Sequence, residues 1–249
     1  MPGGGMKITD VTVYRCGYCV NHLHRVVRGA PRQAQKFPAA AVLFRHNGDA
    51  YLFDTGYARR VLDCGWRSRV YRALNPVVID DADALVLQLA AAGVSASEIK
   101  GVILSHLHPD HIGGLLDFPH SQIYISDRTQ AVLQNSSLPD LVFPALLPDG
   151  FADRCTVLQV GDGYDLFGDG SAILADLPGH TDGQTGLYLP EHNLFLAADS
   201  SWGAALLGRP LKLPGRILQR DYGAYLVTAG KVKAMQDAGV RVFFSHEGK

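Results

Sequence analysis

The strongest constraint on this chain is a ten-residue stretch, SHLHPDHIGG (105–114), which sets three imidazoles and a carboxylate into positions 106–111. The continuous apolar run GVILS (101–105) just before it reads as a buried strand. The polar cluster therefore sits at a strand's carboxyl end, where α/β proteins gather their sites. Crowding titratable groups this way does nothing for a core, and makes sense only where something holds them together. Residues i and i+2 of an extended segment point the same way, so His106 and His108 can face one ion. Pro109 bends the chain and turns Asp110 and His111 toward a neighbouring position, and Gly113 and Gly114 allow tight backbone passage into a following helix. Backbone reach prevents one ion from taking all four groups, whereas two adjacent ions can.

The rest of the chain supplies what such a pair would lack. His180 follows a strand in DLPGHTDG, Asp199 ends one in FLAADSS, and His246 ends one in VFFSHEGK. A lone His after a strand is usually just exposed. Three such positions behind a His-x-His-x-Asp-His cluster make that reading untenable.

Strands alternate with helical segments, which predicts an α/β or α+β architecture. Expected strands are 8–16, 40–46, 50–54, 101–105, 122–126, 156–160, 171–176, 185–190, 193–199 and 240–245. The second and third are joined by Asn-Gly, a hairpin turn signal. A helix is expected over 82–92 with Gly93 as its C-cap, a capping box at Ser95 and Glu98, and a helix from Asp221 to about 238. The segments AVLFRHNGDAYLFDTG and GLYLPEHNLFLAADSS share one pattern of strand, polar turn, strand and Asp; chance and duplication explain it equally well. A single domain over 7–249 is expected, with residues 1–6 disordered.

The formal net charge of −1 argues against nucleic acid, whose phosphates require clustered Lys and Arg. The basic run WRSRVYR (66–72) is read as a solvated helix or loop face. No apolar run approaches the roughly 18 residues of a membrane span, so no membrane partner is expected, and the N-terminus lacks a signal-peptide pattern. A cytoplasmic location is the default expectation. The stretch CGYCVNHLH confines Cys16, Cys19, His22 and His24 to nine residues. That spacing is too tight for a zinc ribbon, so ordinary reduced thiols near the domain edge are expected.

On His106, His108, Asp110, His111, His180, Asp199 and His246, in that order, the chain resembles the metallo-β-lactamase-fold hydrolase superfamily, and most of all its lactonase-like branch. Asp54 in LFDTG matches the Asp after an early strand in that family. The resemblance implies a single-domain αββα sandwich of the α+β class with the site along one edge of its two sheets. It implies two divalent ions, zinc by the imidazole-rich set, with iron or manganese open. His106, His108 and His180 would hold the first; Asp110, His111 and His246 the second; Asp199 would bridge them, and Asp54 would orient a ligand without touching metal. A hydroxide on the ion pair would attack a lactone, ester or thioester carbonyl, with Asp110 moving the proton. An iron-dependent redox member of the fold and a non-catalytic ligand-binding protein are the alternatives.

Quorum-sensing lactonases of that branch commonly carry tyrosine three positions after the bridging Asp. Here Trp202 stands there, and its indole donates a hydrogen bond without being able to act as an acid. This departure weighs against a homoserine lactone, though Trp202 remains a candidate pocket residue. The apolar stretches 138–150 and 203–225 suggest either a greasy mouth for an acyl chain or aromatic ring or ordinary loop packing. Arg209, Lys212, Arg216 and Arg220 are read as solvated surface. Oligomeric state is not readable.

Overall fold

The structure, a computed structural model, describes residues 6–248 apart from 136, 138 and 139. The disorder expected of residues 1–6 lies outside the described residues except at Met6, which is exposed. Two long antiparallel strands begin the fold: β1 (Ile8–Asn21) and β2 (Gln35–His46). Both outrun their expected bounds. β1 continues past Gly17, whose positive φ of 73° marks a register shift in the pairing. In β2 the run Phe37–Phe44 is buried without alternation, as a central strand covered on both faces should be. Asn47 and Gly48, both at positive φ, make the tight turn into β3 (Asp49–Phe53).

From β3 the chain passes through α1 (Gly65–Leu74), β4 (Val77–Val78) and α2 (Leu85–Ala91) to β5 (Ile99–Ile103). The parallel set continues through the short α3 (Pro109–Ile112), β6 (Gln122–Ser126), α4 (Asp127–Gln134), α5 (Phe151–Arg154) and β7 (Cys155–Leu158). The resulting seven-stranded sheet has the order β4-β1-β2-β3-β5-β6-β7. A second, five-stranded sheet follows: β8 (Tyr164–Asp165), β9 (Ile173–Asp176), β10 (Thr185–Leu189), β11 (Leu194–Leu196) and, after α6 (Leu213–Ile217) and α7 (Tyr222–Asp237), β12 (Arg241–Phe243).

The two sheets press face to face through a core that takes Phe44, Phe53 and Ile103 from the first and Leu174, Leu187 and Leu196 from the second. On the outer face of the first sheet, Tyr71, Leu85, Leu89, Ile112 and Phe151 bring the helices α1, α2, α3 and α5 onto Leu43, Leu52 and Val102. On the outer face of the second, Val232 of α7 packs on Phe195, Ala197 and Phe244. The layers therefore run αββα. Each fully buried Leu or Phe stabilises this arrangement by about 1.5–3 kcal/mol over leaving it exposed.

One expectation is corrected and one open choice is decided. Cys16 and Cys19 are free buried thiols, Cys16 inside the main core and not at the domain edge. The Pro-rich stretch after residue 139 sends Val142, Phe143 and Leu146 into that same core, so it does not line a mouth; residues 138 and 139 lie outside the described residues.

Candidate metal centre

All the strand-terminal residues singled out from sequence arrive at one seam between the sheets. β5 delivers His106 and His108, and Pro109 at the first position of α3 swings Asp110 and His111 round. The loop after β9 brings His180, the end of β11 brings Asp199, and the end of β12 brings His246. Each of the seven is buried, none more than 8% exposed. Two groups could each hold a cation, His106 with His108 and His180, and Asp110 with His111, Asp199 and His246; the donor atoms within each group lie within 4.8 Å of one another. Asp199 stands between the groups: Oδ2 is 3.4 Å from His180 Nε2 and 2.9 Å from His246 Nε2, and Oδ1 is 3.3 Å from His111 Nε2. Cys16, Cys19, His22 and His24 form no comparable group among the described residues.

Asp54 sits just past β3 with φ of 60°, a left-handed position that Asp tolerates better than most residues. Its Oδ1 accepts from the Ser105 backbone N–H and its Oδ2 from the Ser105 hydroxyl, each at 2.7 Å. His111 Nδ1–H also donates to Oδ2, at 2.8 Å. With its own proton committed to Asp54, the Ser105 oxygen accepts from His106 Nδ1–H at 3.0 Å. On the other side, His180 Nδ1–H donates to Gln219 Oε1 at 3.1 Å and His246 Nδ1–H to the Pro38 carbonyl at 2.8 Å. Gln184 Oε1 accepts from the Asp199 N–H. The sequence reading missed Ser105, Gln184 and Gln219. Ser105 adjoins the cluster and carried a usable signal, whereas Gln219 lies 39 residues from its partner and carried none.

These bonds fix the tautomers. In His106, His111, His180 and His246 the outer Nδ1 is spent as a donor, so in the neutral ring Nε2 presents a lone pair inward. Of those inward atoms, His246 Nε2 meets Asp199 Oδ2 at 2.9 Å. His106 Nε2, His111 Nε2 and Asp199 Oδ1 are buried with no hydrogen-bond partner. His180 Nε2 faces another ring nitrogen, His108 Nδ1, at 3.0 Å. Lone pairs converging on lone pairs and carboxylate oxygens suit divalent cations, so the residues fit two such ions.

Among the protein groups alone, the charge balance is uneven. Burial, reinforced by neighbouring imidazoles, holds His106 and His108 well below the usual histidine range, and burial also lowers His180. Burial works the same way on His111, but Asp199, Asp54 and Asp110 outweigh it and hold that imidazole well above its usual range. His246 is lifted against burial to about 9, chiefly by Asp199. Asp199, also against burial, is pulled well below the carboxylate range by His246 and His111. The carboxylate-bearing half of the seam thus concentrates negative charge that a cation can replace protons in balancing.

Beside this seam lies an apolar wall. Phe37 meets the His246 ring edge to face, with centroids 6.5 Å apart, and belongs to a cluster with Cys19, Leu23, Val27, Leu211 and Tyr225. Trp202 is half-buried and packs on that cluster. The stretch 203–225 thus does border the site, as its composition suggested, and Gln219 ties it to His180.

An αββα sandwich with a His- and Asp-lined seam defines a metallo-hydrolase class of fold. The profile of the Metallo-beta-lactamase superfamily matches residues 34–246, and the chain belongs to that superfamily. It is similar to the N-acyl homoserine lactonase AttM of Azorhizobium caulinodans, 29% identical over 220 residues that cover 80% of this chain and 76% of that protein. Solved structures share the fold. An N-acyl homoserine lactone hydrolase with N-hexanoyl-L-homoserine at its metal centre superposes with a TM-score of 0.76 at 18% identity, over 97% of this chain and 94% of that one. AidC, a dizinc quorum-quenching lactonase, gives 0.72 at 20% identity, over 97% and 90%.

Proposed function

We propose that this chain is a dinuclear zinc hydrolase that opens a lactone ring bearing an apolar substituent. The observation that carries the reading is the set of inward ring nitrogens, four of them fixed by outer hydrogen bonds, converging on one another and on Asp199, with His106 Nε2, His111 Nε2 and Asp199 Oδ1 buried without a hydrogen-bond partner. His106, His108 and His180 would hold one ion and Asp110, His111 and His246 the other, with Asp199 placed between the two groups. Mostly imidazole donors suit zinc, and the likeness to lactonases, one of them dizinc, supports both metal and reaction class.

Bound there, two divalent ions supply Lewis-acid polarisation and a lowered pKa for water. The chain's own residues do the rest. Asp110, with Oδ2 3.4 Å from His246 Nε2 and 3.8 Å from His111 Nε2, takes a proton from the attacking water. It hands that proton to the ring oxygen as the bond between that oxygen and the carbonyl carbon breaks, leaving a hydroxy acid. The wall of Phe37, Trp202 and Tyr225 receives the apolar substituent and keeps bulk water from the seam. Trp202 stands where quorum-sensing lactonases of the lactonase-like branch commonly carry tyrosine, so proton delivery falls to Asp110, and lactones that need a phenol partner turn over poorly.

The test pairs metal quantification with a panel of γ- and δ-lactones, N-acyl homoserine lactones, p-nitrophenyl esters and acyl thioesters. Zinc near two equivalents, lactone hydrolysis lost to a chelator and restored by zinc is the expected result. A fully loaded protein that cleaves only thioesters, or nothing, would overturn it.

A further inference from the structure

The chain's near-neutral charge hides a strong segregation. Residues 22–36 and 203–220 together hold eight of its 23 basic residues and none of its 24 acidic ones. The remainder, with 15 basic residues, carries a net charge of −9. The fold lays the two segments side by side. Val27 and Leu211 form an antiparallel bridge, the Arg28 N–H donates to Pro210 O at 3.0 Å, and the Lys212 N–H donates to Val26 O at 2.8 Å. Gly215 lets α6 rest on this ladder, since a Cβ there would lie 2.5 Å from Val26 O. Arg25, Arg28, Arg32, Lys212 and Arg216 are exposed. Of the eight, Arg220 alone is ion-paired among the described residues, with Asp140 and Asp182. From the middle of this charge project three large aliphatic side chains, Leu213 at 70% exposure, Ile217 at 73% and Leu218 at 49%.

We propose that this face docks the protein peripherally on an anionic lipid surface, with Leu213, Ile217 and Leu218 entering the acyl boundary and the cationic groups around them meeting headgroup phosphates. Aliphatic side chains ringed by guanidinium and ammonium groups match an interface that is negative outside and apolar just beneath. A second copy of the chain is a poor occupant, because a two-fold contact would set arginine against arginine. Nucleic acid would satisfy the charges but give Leu213 and Ile217 nothing to bury against. The contact is a surface one: among the described residues no helix is long and apolar enough to cross a membrane. Docking here also sets the seam beside the bilayer, since Gln219, two residues past Ile217, bonds His180.

The experiment is co-sedimentation of the zinc-loaded full chain with vesicles of phosphatidylcholine alone or mixed with phosphatidylglycerol, across a salt series. Two double variants, Arg25→Glu/Arg28→Glu and Leu213→Ser/Ile217→Ser, change exposed side chains, and an unaltered thermal midpoint confirms that they fold. We expect partition to the anionic vesicles only, weakened by salt, with the charge-reversed variant losing roughly tenfold or more in partition and the serine variant also losing affinity. No partition, equal partition to both vesicle types, or binding untouched by the arginine reversals would overturn the proposal. So would duplex DNA retaining the chain while the serine variant still partitions normally, which would assign the face to a polyanion.

Discussion

Asp54 shows how one carboxylate can govern a site it does not enter. Its two oxygens take three donors, the Ser105 N–H, the Ser105 hydroxyl and His111 Nδ1–H. Asp54→Asn sets an amide NH2 against at least one of them. We expect metal affinity to fall about 10–100-fold, read by chelator competition, and stability to drop by about 1–3 kcal/mol in thermal unfolding. Gln219→Leu removes the acceptor that holds the His180 ring, and a similar loss of affinity is expected for the ion that His180 would share with His106 and His108, with Gln219→Glu restoring much of it. His108→Ala and Asp199→Ala should each lower zinc stoichiometry and abolish lactone hydrolysis; two equivalents retained in both variants would refute the ligand assignment. At this scale the seven inward residues were legible because chemistry of that kind has no other use at strand ends. Their supports were not. A hydrogen bond between Gln219 and His180 depends on how two loops pack, and neither residue's type or position records it.

At the scale of elements, the long apolar strands and the capped helix α7 were readable because their patterns need no tertiary context. Asp221 caps α7 by accepting from the Ala224 N–H, as its sequence position suggested. Short or exposed elements escaped. β4 and β8 are two-residue strands, too brief for any period to show. Helix α1 occupies the basic run read as a solvated helix or loop face, a choice its pattern left open because it buries little more than Ser68 and Tyr71. The two segments with a shared strand-turn-strand-Asp pattern turn out to be the β2–β3 and β10–β11 hairpins, one in each sheet, which deliver Asp54 and Asp199 to the same seam. The His180 loop depends on close approach more than on side chains. Gly179 has φ of 127°, and a Cβ there would lie 2.2 Å from Tyr225 N at the start of α7. Gly179→Ala should cost at least about 2 kcal/mol through overpacking and backbone strain. That lowers the thermal midpoint by roughly 4–8 °C and reduces zinc content with it.

For the molecule as a whole, the site is also a fastener. His106, His108, Asp110 and His111 hang from the first sheet, and His180, Asp199 and His246 from the second, with each cluster drawing on both. Ions bound there stabilise the folded state by mass action. Stripping zinc with a chelator should therefore lower the thermal midpoint by several degrees, and adding zinc back should restore it; calorimetry with and without chelator checks this. A seam stitched from both sides also sets a clock on metal escape. An ion held by ligands from both banks would leave only when the sheets part enough to free them, so dissociation is expected to keep pace with a large breathing motion and not with ligand lability. Hydrogen exchange at the amides of β9–β11 would report that motion, and its rate should track zinc loss across temperature.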